Sequence, residues 1–150
     1  MLLVAVDPAG CAYQVVEEAS SLAAALSEPV ILMTSVELPE GVTPEVHLET
    51  GRYAGHTAED VLVTDARQAL DALAEPLRSK GVGVRLEVRV GPCVQAVLDS
   101  ADEHRPRMLV LGTHGRTGLK RFFLGSVAEQ ILRQAKVPVL TVRSQGVVDH

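Results

Sequence analysis

Met108-Leu109-Val110-Leu111-Gly112-Thr113-His114-Gly115-Arg116-Thr117-Gly118-Leu119-Lys120-Arg121-Phe122-Phe123-Leu124-Gly125-Ser126 passes from an apolar run into a glycine-bearing loop. Met108 to Leu111 has strand length and no polar residue, as a strand covered on both faces must. A helix is expected from Val127 to Ala135, and Val137 to Val142 is strand-like again. Strand, loop, helix, strand is one βαβ unit, and the same alternation runs through the rest of the chain.

Toward the N-terminus, Leu2 to Val6 is a short apolar run stopped by the turn signal Asp7-Pro8. From Cys11 to Ser27, Val15, Ala19, Leu22 and Leu26 fall on one helical face, and Val30 to Val36 is the next strand. Residues 37–57 carry Pro39, Gly41, Pro44, Gly51 and Gly55 without a period and read as a long loop. A helix over Ala58–Lys80 aligns Leu62, Ala66, Ala69 and Leu73; Pro76 should kink its last turns and Gly81 ends it. In Val84–Val90, four apolar residues alternate with Arg85, Glu87 and Arg89, and a helix is expected over Pro92–Glu103.

The pattern βαβαβαβαβ predicts an α/β fold: a single open five-stranded parallel sheet with helices on both faces. The alternating third strand suits an edge with one wet face. The last strand, holding Pro138, suits the other edge, because proline lacks a ladder donor. Right-handed crossovers then give the order 3-2-1-4-5. Ligands of such sheets bind beyond the carboxyl ends of the strands, where the order reverses. Here that crevice would be lined by Asp7-Pro8-Ala9-Gly10 and the loop after Leu111.

A length of 150 residues fits one domain over 1–150, with a loose tail after about residue 143. Two Phe, two Tyr, no Trp and a formal charge of −5 argue against nucleic-acid binding, which wants stacking faces and a basic stripe. No apolar run has membrane-spanning length, and the opening residues lack the charge pattern of a signal peptide. Cys11 and Cys93 have neither a CxxC partner nor metal spacing, which points to a reducing, cytoplasmic setting. His47 and His56 have no third ligand at metal spacing, so no metal residue is nominated.

The glycine loop is the informative feature. Glycines let backbone N–H groups approach an anion, and the helix opening near Ser126 adds unpaired donors and a positive dipole end. Arg116, Lys120 and Arg121 add local positive charge to an acidic chain. The Walker pattern is excluded because Gly118 is followed by Leu119 and Lys120 by Arg121. The dinucleotide fingerprint is excluded because the first strand is followed by Asp7-Pro8-Ala9-Gly10. Ser126-x-x-Glu129 also reads as a capping box, a structural role that does not preclude facing a phosphate.

Gly112-x2-Gly115-x9-Gly125-Ser126 resembles the G-x2-G-x9-G-[ST] signature of ATP-binding universal stress proteins. Leu3-Val4-Ala5-Val6-Asp7, Val30-Ile31-Leu32 and Val137-Pro138-Val139-Leu140-Thr141-Val142 extend the resemblance over nearly the whole chain. It implies an adenine nucleotide alpha hydrolase-like, Rossmann-like fold and ATP, with Mg²⁺ as companion ion. Asp7 and Pro8 would lie by the adenosine, and Ser35 and Val36 by the adenine. Leu111, Gly112, His114 and Gly115 would lie along ribose and phosphate, with Gly125, Ser126 and Val127 gripping the phosphates. It further implies a homodimer through Val137–Val142. Pro8-Ala9 departs from the usual Gly-Ser or Gly-Thr, and Pro106-Arg107-Met108 lacks the acidic residue often found there.

The function expected is a nucleotide-dependent regulatory module in stress response. No base–nucleophile pair stands beside the loop, so no catalytic residue is nominated. Slow ATP hydrolysis, or a nucleotide-free module binding another protein through residues 37–57, stand as alternatives.

Overall fold

In the computed structural model, residues 1–10, 12–113 and 124–143 are described. Five strands form one parallel sheet: β1 (Leu2–Ala5), β2 (Val30–Val36), β3 (Val84–Val90), β4 (Met108–Gly112) and β5 (Val139–Val142). Their order is β3-β2-β1-β4-β5, as the strand patterning predicts. Helices α1 (Ala12–Leu26), α2 (Ala58–Leu73), α3 (Glu75–Ser79), α4 (Cys93–His104) and α5 (Ser126–Gln134) connect them.

The apolar strands are apolar throughout because both faces are covered. Leu2 and Val4 of β1, Val30 and Leu32 of β2, and Val110 of β4 pack with α1, α2 and α3. Their neighbours Leu3, Ile31, Met33, Leu109 and Leu111 pack on the opposite face with Val97 and Ala101 of α4 and Ala128 and Ile131 of α5. Successive side chains point to opposite faces of a strand, so each run feeds two cores at once.

Two element boundaries differ from expectation. The helix predicted over Ala58–Lys80 is two helices meeting at Ala74, because Pro76 cannot donate an N–H in a continuous ladder. Arg78 bridges the break, its Nη2 2.6 Å from Asp71 Oδ1. The last strand begins at Val139, after Pro138, whose carbonyl still accepts from Leu109 N–H at 2.9 Å.

The second face of β3 is not simply wet. Glu87 is only 15% exposed and accepts from Arg89, from Ser100 Oγ at 2.8 Å and pairs with His104 Nε2 at 2.6 Å. Arg89 reaches on to Glu103 at 2.5 Å, and Arg85 Nη2 lies 3.2 Å from His104 Nδ1. The polar residues of this edge strand are the partners of α4.

The loop over 37–57 is also more ordered in its bonding than its composition suggests. His47 and Thr57 form an antiparallel bridge, Leu48 N–H donates to His56 O at 3.0 Å, and Gly55 N–H donates to Leu48 O at 2.9 Å. Thr57 then caps α2 in a reciprocal box with Asp60.

Candidate functional site

The register of the sheet assembles the site. Ala5 at the end of β1 is level with Met33 of β2 and Leu111 of β4. Two residues further on, each chain arrives at the carboxyl rim: Asp7 from β1, Ser35 from β2 and Thr113 from β4. The order reverses at β1 and β4, so this rim is the switch point, the place where open α/β sheets bind their ligands.

Asp7 and Pro8 are half-buried and lie in a tight turn. Asp7 Oδ1 accepts from Ala9 N–H at 3.0 Å, and Asp7 O accepts from Gly10 N–H at 2.9 Å. The carboxylate therefore holds the turn at the end of β1. Ser35 and Val36 are half-buried residues of β2, opposite Arg89 and Val90 of β3. Val36 O accepts from Gly91 N–H at 2.9 Å, so the β3 side of the rim is closed by backbone pairing.

On the other side, Leu111 is buried and Gly112 half-buried, level with Thr141 and Val142 of β5. His114 and Gly115 lie outside the described residues, as do Arg116, Gly118, Lys120 and Arg121. The stems of that loop are placed. Gly125 N–H donates to Thr113 O at 2.7 Å, and Thr113 N–H donates to Val142 O at 3.0 Å. Thr113 thus ties together the end of β4, the end of β5 and the start of α5. Sequence reasoning passed over this residue; its only signal was its position between Gly112 and the loop.

The capping-box reading of Ser126 is corrected by the geometry. The N-cap of α5 is Gly125, with φ −57° and ψ 150°, and no side chain caps the helix. Ser126 is the first helical residue and is exposed, as is Val127, while Glu129 pairs with Arg133 at 2.8 Å. Gly125 gives its own N–H to Thr113, so the unpaired donors of α5 begin at Ser126 and Val127. With the helix dipole behind them, these amides suit an anion.

Two further observations bound the site. Among the described residues, no group of three or more His, Cys, Asp or Glu could hold a metal ion, and no helix is long and apolar enough to cross a membrane. A groove of about 730 Å³ lies between α1 and β5, lined by Tyr13, Glu17, Leu22, Leu140 and Val142 among others; none of the residues nominated for the nucleotide lines it.

An open parallel sheet of this strand order with helices around it defines a Rossmann-like class of fold. Within that class the chain belongs to the universal stress protein family, whose model matches residues 1–143. A Methanocaldococcus jannaschii universal stress protein is 32% identical over 84 residues, covering 56% of this chain and 49% of that relative, about half its length. Universal stress protein A homolog 2 of Coxiella burnetii is 29% identical, covering 97% of this chain and 94% of its own. A universal stress protein solved in complex with cAMP has a TM-score of 0.67 at 21% identity, covering 96% of both chains. One from Archaeoglobus fulgidus in complex with dAMP has a TM-score of 0.64 at 23% identity, covering 93% of this chain and 94% of that one.

Proposed function

We propose that this chain binds an adenine nucleotide, ATP foremost, across the carboxyl rim of β1, β2 and β4, and acts as a nucleotide-dependent regulatory module. The observation that carries the reading is the register of β1, β2 and β4, whose carboxyl ends share one rim, with Gly125 N–H on Thr113 O tying the start of α5 to it. The residues fit such a ligand. Asp7 and Pro8 would lie by the adenosine, Ser35 and Val36 by the adenine, Leu111, Gly112, His114 and Gly115 along ribose and phosphate, and Ser126 and Val127 would grip the phosphates. Gly125 would act by holding the helix start against Thr113. Related proteins solved with cAMP and dAMP support an adenine ligand for this class of site.

A Mg²⁺ ion, held mainly by the nucleotide's own phosphate oxygens, would neutralise charge that an acidic protein otherwise disfavours. Each charge-assisted hydrogen bond to a phosphate contributes about 1.5–3 kcal/mol, so a few amides suffice for micromolar binding. In this reading residues 1–150 form one cytoplasmic domain. The outer edge of β5, which pairs with β4 alone among the described strands, supplies a homodimer contact.

Native mass spectrometry of gently purified protein, followed by calorimetric titration with ATP, tests the reading. Bound ATP is the expected result. ADP with phosphate release would instead favour slow hydrolysis, and an empty protein that ignores added ATP would favour a protein-binding role for residues 37–57. Gly115→Val should abolish nucleotide binding while leaving the far-ultraviolet circular dichroism and melting temperature unchanged. Unchanged affinity in that variant would refute the glycine-loop assignment.

A further inference from the structure

Residues 46–57 form an arm whose placement the proposed site does not explain. Its base is fixed at the start of α2, where Ala58 N–H donates to Val46 O at 2.8 Å and His47 bridges Thr57. The helix runs antiparallel to the strands, so its first residue stands at the carboxyl rim, beside the crevice. The arm does not lie across that rim. Its tip is folded back along the flank of α2, where Tyr53 Oη donates to Asp65 Oδ1 at 2.5 Å. Asp65 is seven residues into the helix, about 10 Å from its start at 1.5 Å per residue.

Arg52 completes the latch. Its Nη2 donates to Tyr53 Oη at 2.5 Å, and its guanidinium carbon lies 4.7 Å from the centroid of the Tyr53 ring. The arm itself is internally bonded through Leu48, Gly55 and His56, so it can swing as a unit about its base. Five residues from base to tip span up to about 17 Å, several times the 4.8 Å between neighbouring strands. The tip can therefore reach the ends of β2 and β1.

We propose that residues 46–57 are a strap latched open by Tyr53 on Asp65, which swings over a nucleotide bound at the rim and brings Arg52 to its phosphates. The proposal rests on the nucleotide reading above. Arg52 is exposed and carries a cation in a chain of net charge −5, which suits it to an anionic ligand. The latch is a single exposed hydrogen-bonded pair, so releasing it should shift the open–closed balance by about threefold to tenfold.

The test uses spin labels at Ala54→Cys and Arg67→Cys in the full chain, with Cys11→Ser and Cys93→Ser to remove native thiols. Pulsed dipolar spectroscopy should give one short distance in the free protein and a second, longer one in Tyr53→Phe. ATP should increase the longer population in both. Stopped-flow chase should show ATP leaving Tyr53→Phe about threefold to tenfold more slowly than the parent, a gain lost when Arg52→Gln is added. Calorimetry on the labelled parent separates the two ideas. If ATP binds but the distances in parent and Tyr53→Phe coincide and do not respond, the strap proposal is overturned and the nucleotide reading survives. If ATP does not bind at all, the nucleotide reading falls, and with it the strap's ligand.

Discussion

Glu87 shows how much one side chain on an edge strand can hold. Burial pushes its carboxyl upward, but hydrogen bonds from Arg89, Ser100 and His104 outweigh that and hold it below its ordinary 4.5. Because the folded value is depressed, the stabilisation is present above pH 4.5 and is lost as pH falls through the folded value. Glu87→Gln should cost about 1–3 kcal/mol near neutral pH, since it weakens charge-assisted bonds and disturbs the fully buried Ser100 hydroxyl. Urea denaturation of both proteins from pH 7 to pH 3 should show this difference shrinking below pH 4.5. A difference that stays constant with pH would mean the carboxylate's charge contributes nothing.

At the scale of elements, two helix starts that look alike in sequence behave differently. Thr57-x-x-Asp60 forms a reciprocal box: Thr57 Oγ1 accepts from Asp60 N–H at 3.1 Å and Asp60 accepts from Thr57 N–H at 3.4 Å. Hydrogen bonding to Thr57 is also what lowers the Asp60 carboxyl below its ordinary range. At Ser126-x-x-Glu129 the helix begins one residue too early for the serine to cap it. Thr57→Ala should therefore cost about 1 kcal/mol, whereas Ser126→Ala should leave the melting temperature within about 1 °C while weakening ATP binding. Equal losses of stability in the two variants would restore the capping role of Ser126. The break at Ala74 belongs to this scale as well, because one proline turned a single periodic stretch into two helices of unequal length.

Across the whole molecule, β1 is the common wall of both cores. Leu2, Leu3 and Val4 are fully buried, and β1 is paired on both sides, with β2 and with β4. Native-state hydrogen exchange should find the β1 amides opening only by global unfolding, and those of edge strands β3 and β5 opening earlier. Leu3→Ala, which empties space facing α4 and α5, should cost about 2–5 kcal/mol in denaturant titration. Exchange in β1 as fast as in β5 would contradict a sheet stabilised from its centre.

The sequence by itself determined the alternation of strands and helices and the order of the sheet, because both are written in local periodicity, and its resemblance to a known glycine signature pointed to the family. Runs buried on both faces are apolar throughout, an alternating strand sits at an edge, and glycines with a following hydroxyl keep a fixed spacing. Turn and loop signals in the sequence marked the ends of the first and fourth strands, at Asp7-Pro8 and after Leu111. Only the tertiary structure decided that Thr113 joins three elements, that Gly125 and not Ser126 caps α5, that Glu87 is a half-buried hub, and that Tyr53 ties its loop to α2. Those outcomes depend on register between distant segments and on which donor reaches which acceptor, and neither is encoded in the spacing of residues along the chain.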